Sequence, residues 1–189
     1  MLMDRELHWY VARTRSCQEK KAAEALSKLG VESFLPVQKV RRQWSDRVKT
    51  VDSLLLPHVV FIRCTPQDRK PMLEAVYGLT GYMMDRGSVE KRVLIVPDGQ
   101  MSDFMFVIGK MNGVAEVAMA SEPIRKGDTV EFVAGPMKGF RCECVDIKGK
   151  KNIVVRLGML GSAVVEVNAE DLVTVSPDKT SENGKQDRP

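Results

Sequence analysis

Several things are scarce in this 189-residue chain, and each scarcity excludes something. No run approaches the roughly 20 apolar residues needed to span a bilayer. The opening MLMDRELHWYVART lacks the long apolar core of a secretory signal, so a soluble, cytoplasmic protein with no membrane partner is expected. Cysteine is limited to Cys17, Cys64, Cys142 and Cys144, with no CxxC pair. Cys142 and Cys144 are two apart on a strand-like run, where same-face neighbours pair poorly, so all four read as reduced, small hydrophobes. The two histidines, His8 and His58, have no ligand partners nearby in sequence, which argues against a metal site. There is no P-loop, GxSxG, HExxH or dinucleotide fingerprint, and no paired-carboxylate pattern. A non-enzymatic binding protein without cofactor is the expectation. Charge of one sign is also sparse. Twenty-nine Lys and Arg against 25 Asp and Glu leave +4, too little for a polyanion-binding coat over the whole surface.

What is present is a regular succession of elements. Leu7–Ala12 is aromatic and β-branched, suiting a strand. Ser16-x-x-Glu19 has capping-box spacing ahead of Ala22, Ala25, Leu26 and Leu29, predicting a helix over 17–29 stopped by Gly30. Val31–Val40 and Leu54–Cys64 read as strands, and Met72, Leu73, Val76 and Tyr77 as a short helix behind Thr65-Pro66. Gly81–Met84 and Arg92–Val96 read as short strands. Met101, Phe104, Met105 and Ile108 then form a helical face behind Asp98. Helices on a mostly antiparallel sheet, an α/β sandwich, are expected for residues 7–109. Residues 110–123, small and lacking alternation, read as a linker. Beyond it, five short strands (Asp128–Val133, Gly139–Asp146, Asn152–Leu157, Ala163–Val167 and Leu172–Val175) with Gly-rich turns predict a small barrel over 124–175. The polar stretch 176–189 is expected to be a disordered tail. The fold class is thus α+β.

Three surfaces carry information. The first is Lys39–Val51, read as a basic hairpin arm. Lys39, Arg41, Arg42, Arg47 and Lys49 face a single acid, Asp46. That surplus of four equals the net charge of the chain, so everything else sums to zero. Cations neutralise phosphates and an indole such as Trp44 stacks on bases, although a charge run also suits a merely solvated hairpin. Nucleic-acid contact and docking on an acidic partner both fit. The second is LLLPHVVFIRC, where alternation puts Val59 and Phe61 on one face and Val60 and Ile62 on the other. If helices cover one face, a partner or the second domain must cover the other, unless the strand is sandwiched within its own domain. Tyr10, Tyr82 and Met84 extend such a patch. The third is the turn Gly135-Pro136-Met137-Lys138-Gly139-Phe140, expected to protrude, though Gly and Pro there also simply build turns.

These residues carry a resemblance. Ile124-Arg-Lys-Gly127-Asp128-x-Val130-x-Phe132, then Gly135-Pro136-x-Lys138-Gly139-Phe140, resembles a KOW motif in its SH3-like barrel. HWYVART, the helix, FLPVQKV, the arm, LLLPHVVFIRC and LTGYMM resemble the amino-terminal domain of NusG-type transcription factors. VLIVPDGQM is similar to a segment of the UpxY-like paralogues that act on capsular polysaccharide operons. The resemblance implies that the open sheet face grips the clamp helices of the RNA polymerase largest subunit. Tyr10, Leu56, Pro57, His58, Val59, Phe61, Tyr82 and Met84 are the residues implied. It implies that Lys39, Arg41, Arg42, Trp44, Arg47 and Lys49 meet upstream or non-template DNA, or nascent RNA. It implies that Gly135, Pro136, Met137, Lys138, Gly139 and Phe140 recruit a small-subunit ribosomal protein or a termination factor. A monomer is expected. The Val/Ile alternation predicts a constitutive barrel rather than a helical second domain. The competing reading is a ribosome-associated, KOW-type RNA-binding protein.

Overall fold

The computed structural model describes residues 6–87, 89–120 and 123–175. The expected disordered tail, 176–189, lies outside the described residues. The elements run β1 (His8–Thr14), α1 (Glu19–Lys28), β2 (Ser33–Phe34), β3 (Val37–Gln43), β4 (Val48–Leu54), β5 (Val59–Cys64), α2 (Arg69–Ala75), β6 (Leu79–Tyr82), β7 (Ile95–Val96), α3 (Asp98–Met111), β8 (Val117–Ala120), β9 (Asp128–Phe132), β10 (Arg141–Ile147), β11 (Lys150–Arg156), β12 (Ser162–Glu166) and β13 (Leu172–Thr174). A first sheet is ordered β2-β5-β1-β6, with β7 also on β1. A second is ordered β13-β9-β10-β11-β12-β8, and among the described residues β3 and β4 pair with each other alone. Every ladder is antiparallel. Among the described residues no helix is long and apolar enough to cross a membrane.

The central strands β1 and β5 are buried on both faces, as continuous apolar runs must be. Tyr10, Ala12, Val60 and Ile62 pack under Ala22 and Leu26 of α1, with Met72 and Leu73 of α2 alongside. Trp9, Val11, Val59 and Phe61 pack under Met101, Phe104 and Ile108 of α3. Of the coverings left open for the second face, it is the domain's own helix α3, continued by the second unit, that is found, so helices lie on both faces. The apolar stripe of α3 closes this second face, with Phe104 edge-on to Phe61 at 5.8 Å and to Phe34 at 5.9 Å. The same cluster continues past α3 into Phe132, Met137, Ile153 and Val155 of the second unit. Phe106 of α3 lies 4.7 Å from Phe140, so this helix is a layer shared by both sheets.

Two local expectations change. The Ser16–Glu19 capping box does not form: Gln18 is the N-cap, without a side-chain cap bond. Cys17 takes φ +58 and Ser16 Oγ lies near Cys17 Sγ, while the Glu19 carboxylate turns inward to accept the His58 N–H at 2.9 Å. The stretch 110–123, expected as a linker without strands, contains the end of α3 and strand β8. This strand pairs with β12 in the register Ser162↔Ala120 to Val165↔Val117. Small residues such as Ala118 and Ala120 carry too little alternation to announce a strand, and the edge of the second sheet makes it one.

Candidate interaction surfaces

The residues implied for polymerase contact fall into three groups. Tyr10 is 2 % exposed beneath α1 and α2, edge-on to Tyr82 at 5.9 Å, with the Arg69 guanidinium 5.0 Å from its ring centre. Val59 and Phe61 are buried on the opposite face, beneath α3. The structure thus divides Tyr10 and Tyr82 from Val59 and Phe61 rather than assembling one grip. The reason is parity: Tyr10 pairs with Ile62, and Val11 with Phe61, so Tyr10 and Phe61 point to different faces. The third group is at the surface. Leu56 is half-buried, Pro57 and His58 are exposed, and Met84 is 44 % exposed.

The Leu56-Pro57-His58 turn is fastened by hydrogen bonds on both sides of His58. His58 sits at φ +62, a left-handed conformation that costs a side-chain-bearing residue and needs fixing by its surroundings. Glu19, almost fully buried, accepts the His58 N–H, and Thr14 N–H donates to the His58 carbonyl at 3.0 Å. Next to the α3-covered face lies a cavity of about 350 Å³ lined by Arg13, Met83, Met84, Arg86, Leu94 and Met159. Methionine lines it from both units, and the Arg86 N–H points at Met159 Sδ at 3.3 Å. Flexible thioethers and two guanidiniums suit an apolar partner segment that also carries acids. Of these residues only Met84 stands out from sequence as a candidate contact. Arg13, Arg86 and Met159 are far apart in the chain, and no local pattern joins them.

The arm is a two-stranded ribbon, Val37↔Leu54 through Gln43↔Val48, closed by a Trp44 N–H to Arg47 carbonyl bond of 2.8 Å. Positions 41 to 50 are all exposed, Trp44 by 55 %. The base is fastened. Gln38, 5 % exposed, receives the Val117 N–H on Oε1 at 2.8 Å and donates Nε2 to the Val117 carbonyl at 2.7 Å. Asn112 Oδ1 accepts the Lys39 N–H at 2.8 Å. The Gln38 amide thus imitates a further strand along β8, tying the arm to the junction between units. Nothing in the VQKV motif distinguishes this glutamine from a solvent-facing one.

The Gly135–Phe140 turn is corrected at its centre. Met137, expected at an exposed loop tip, is fully buried, while Gly135, Pro136, Lys138 and Gly139 are exposed and Phe140 is half-buried against Phe106. The loop folds its apolar members back toward α3. At the start of this unit Gly127 is indispensable, since a Cβ there would lie 2.0 Å from the Cys144 carbonyl oxygen. Its N–H donates to Glu143 Oε1 at 2.7 Å, and Arg156 forks onto the same carboxylate at 2.6 and 2.7 Å. The Arg156 hydrogen bonds hold the Glu143 carboxyl below its ordinary range. Burial pushes the Cys64 thiol up to about 11 and the Cys142 thiol up to about 12, so both stay protonated at neutral pH. Among the described residues no three His, Cys, Asp or Glu gather as a metal site.

Fold and surfaces together define a class: a protein of packed β-sheet units that presents a hydrogen-bonded turn, a mixed Met/Arg cavity and a basic arm. A family model described as transcription termination factor nusG matches residues 7–105, more than half of the chain. The chain belongs to the NusG family, whose members are non-enzymatic transcription factors. Among solved structures, one of domain interaction in Thermotoga maritima NusG is similar at 17% identity, covering 90% of this chain and 98% of that one, with TM-score 0.47. The MjSpt4:Spt5 complex in conformations A and B is similar at 18% identity, covering 90% of this chain and 99% of that one, with TM-scores 0.28 and 0.29. No curated protein matches the chain.

Proposed function

We propose that this chain is a transcription elongation and antitermination factor. In this reading it binds the clamp helices of the RNA polymerase largest subunit through its NusG-type domain and suppresses pausing and termination. It acts on particular operons of the capsular polysaccharide kind, and its KOW-like second unit recruits a further partner. The observation that carries the reading is a NusG-family sheet domain with a concentrated basic arm beside it. The polymerase contact centres on what is accessible: Leu56, Pro57, His58 and Met84, joined by Arg13, Arg86 and the methionines of the adjoining cavity. Val59 and Phe61 share a hydrophobic cluster with Leu94 and Met83 of that cavity, whereas Tyr10 and Tyr82 pack on the opposite face of the sheet.

Such a factor needs no catalytic group. If it binds the elongating state of polymerase tenfold better than the paused state, it shifts that equilibrium by about 1.4 kcal/mol. The test is reconstitution. Purified RNA polymerase should retain the full chain and read through pauses faster in its presence, and Met84→Glu with Arg86→Glu should remove both effects. Retention on ribosomal subunits instead of polymerase would overturn the reading. Transcript sequencing in a deletion strain addresses specificity: loss of distal transcripts at one capsule-type operon supports it, and genome-wide change in pausing contradicts it.

A further inference from the structure

The arm carries its cations unequally on its two faces. In the β3–β4 register, Gln38, Val40 and Arg42 stand opposite Ser53, Val51 and Lys49, and opposed residues share a face. The bonded pair Trp44 and Arg47 continues that alternation at the turn. One face therefore carries Arg42, Lys49, Arg47 and the exposed Trp44 indole, with no acid among them. The other carries Lys39, Arg41 and Gln43 opposite Asp52, Thr50 and Val48, and Asp52 is itself paired with Lys20 at 3.1 Å. The base of the first face is closed where Gln38 meets Val117, so only its outer half is open.

Arg42 and Lys49 are direct cross-strand partners. Like charges so placed, with Cβ atoms roughly 5 Å apart, destabilise a hairpin that has no ligand. An anion between them removes that repulsion, and a phosphodiester is of a size to be held by both. Trp44, one pair further out, is then positioned to receive a base. In a duplex both faces of each base are already stacked, so an indole can be used in this way only when the base is unpaired.

We propose that the Arg42–Trp44–Arg47–Lys49 face is a single-stranded nucleic-acid site, in which Arg42 and Lys49 clamp one backbone phosphate and Trp44 stacks on an adjacent base. The opposite face, Lys39 and Arg41, contributes only diffuse attraction. This goes beyond the polymerase reading above.

The test uses the full chain and a fluorescein-labelled, mixed-sequence DNA of about 12 nucleotides, offered as single strand and as duplex, with affinity measured against salt. Two double variants change net charge by the same amount, Arg42→Glu/Lys49→Glu and Lys39→Glu/Arg41→Glu. The first is expected to weaken single-strand binding by about tenfold or more and to flatten the log–log salt slope by about 0.7, the one phosphate contact that the pair makes. The second should weaken it by less than about threefold, since no direct contact is lost. Trp44→Ala should weaken binding by about tenfold, and Trp44→Phe should restore most of it. If either glutamate pair alters the fold, Arg42→Gln/Lys49→Gln and Lys39→Gln/Arg41→Gln repeat the comparison. Equal losses from the two faces overturn the face assignment. Duplex binding as tight as single strand, or an inert Trp44→Ala, overturns the single-strand assignment. Absence of DNA binding by a chain that still binds RNA polymerase overturns this inference and leaves the polymerase reading standing. DNA binding of the expected pattern without polymerase binding does the reverse.

Discussion

Strand β5 and the β3–β4 arm are neighbours in the chain, yet they meet solvent in opposite ways. Val59 to Ile62 of β5 are buried on both faces, one set beneath α1 and α2 and the other beneath α3. Along the outer arm, positions 41 to 50 are all exposed, and the arm is tied to the rest at its base by the Gln38 and Asn112 bonds and the Asp52–Lys20 pair. The first is a place where sequence is dictated by packing, and the second a place where sequence is free to serve a ligand. A residue's stake in stability and its stake in binding are therefore separable here, and substitutions can be ranked along that contrast.

The largest effect is expected in the core. Phe61→Ala removes a fully buried ring that contacts Phe34 and Phe104, and should cost about 3–5 kcal/mol, read as a lower midpoint in denaturant unfolding. An effect below about 1 kcal/mol would mean that α3 does not close this face. Gln38→Ala comes next. It strips partners from the buried Val117 N–H and carbonyl and should cost about 1–3 kcal/mol, with faster hydrogen exchange at Val117 as its signature.

A smaller effect concerns pH. Glu143 has a lowered pKa in the folded protein, so its contribution is present above the unfolded value of about 4.3 and is lost as pH falls through the folded value. Asp103, raised by burial, works in the opposite sense and favours the fold as it gains a proton. Melting temperatures of Glu143→Gln and the parent should therefore converge on acidification below about pH 4 and separate above it. The smallest effect on stability belongs to the arm. Arg42→Gln/Lys49→Gln should change unfolding free energy by less than about 0.5 kcal/mol, and the relief of like-charge repulsion favours a slight gain. A loss of 2 kcal/mol there would erase the contrast with β5.

Much of the second unit is legible in its residues because turn glycines and strict alternation state the register locally. The expected Asn152–Leu157 and Ala163–Val167 lie within two residues of β11 and β12. The expected strand Val31–Val40 is instead interrupted at Leu35-Pro36, separating β2 from β3, where proline cannot donate to a ladder. Helix α1 is legible from Ala22 and Leu26, yet its cap is not, because Glu19 is used by the distant His58 turn. The basic arm is visible as charge, and its unequal faces emerge only once Arg42 is known to face Lys49. The burial of Phe61 and Met137 lay beyond local reading for one reason. Both depend on tertiary placement: helical periodicity shows that α3 has an apolar stripe without showing that it covers Phe61, and no local pattern shows that the loop folds Met137 into the same cluster.

One binding experiment is decisive. The full chain is titrated onto a reconstituted RNA polymerase elongation complex whose non-template strand is exposed, in parallel with Arg42→Glu/Lys49→Glu and Met84→Glu/Arg86→Glu. The expected result is retention of the parent chain, loss of retention on altering the cavity, and on altering the arm a weaker, less salt-dependent interaction. A parent chain that fails to bind the complex, or a cavity variant that binds as well as the parent, would contradict it.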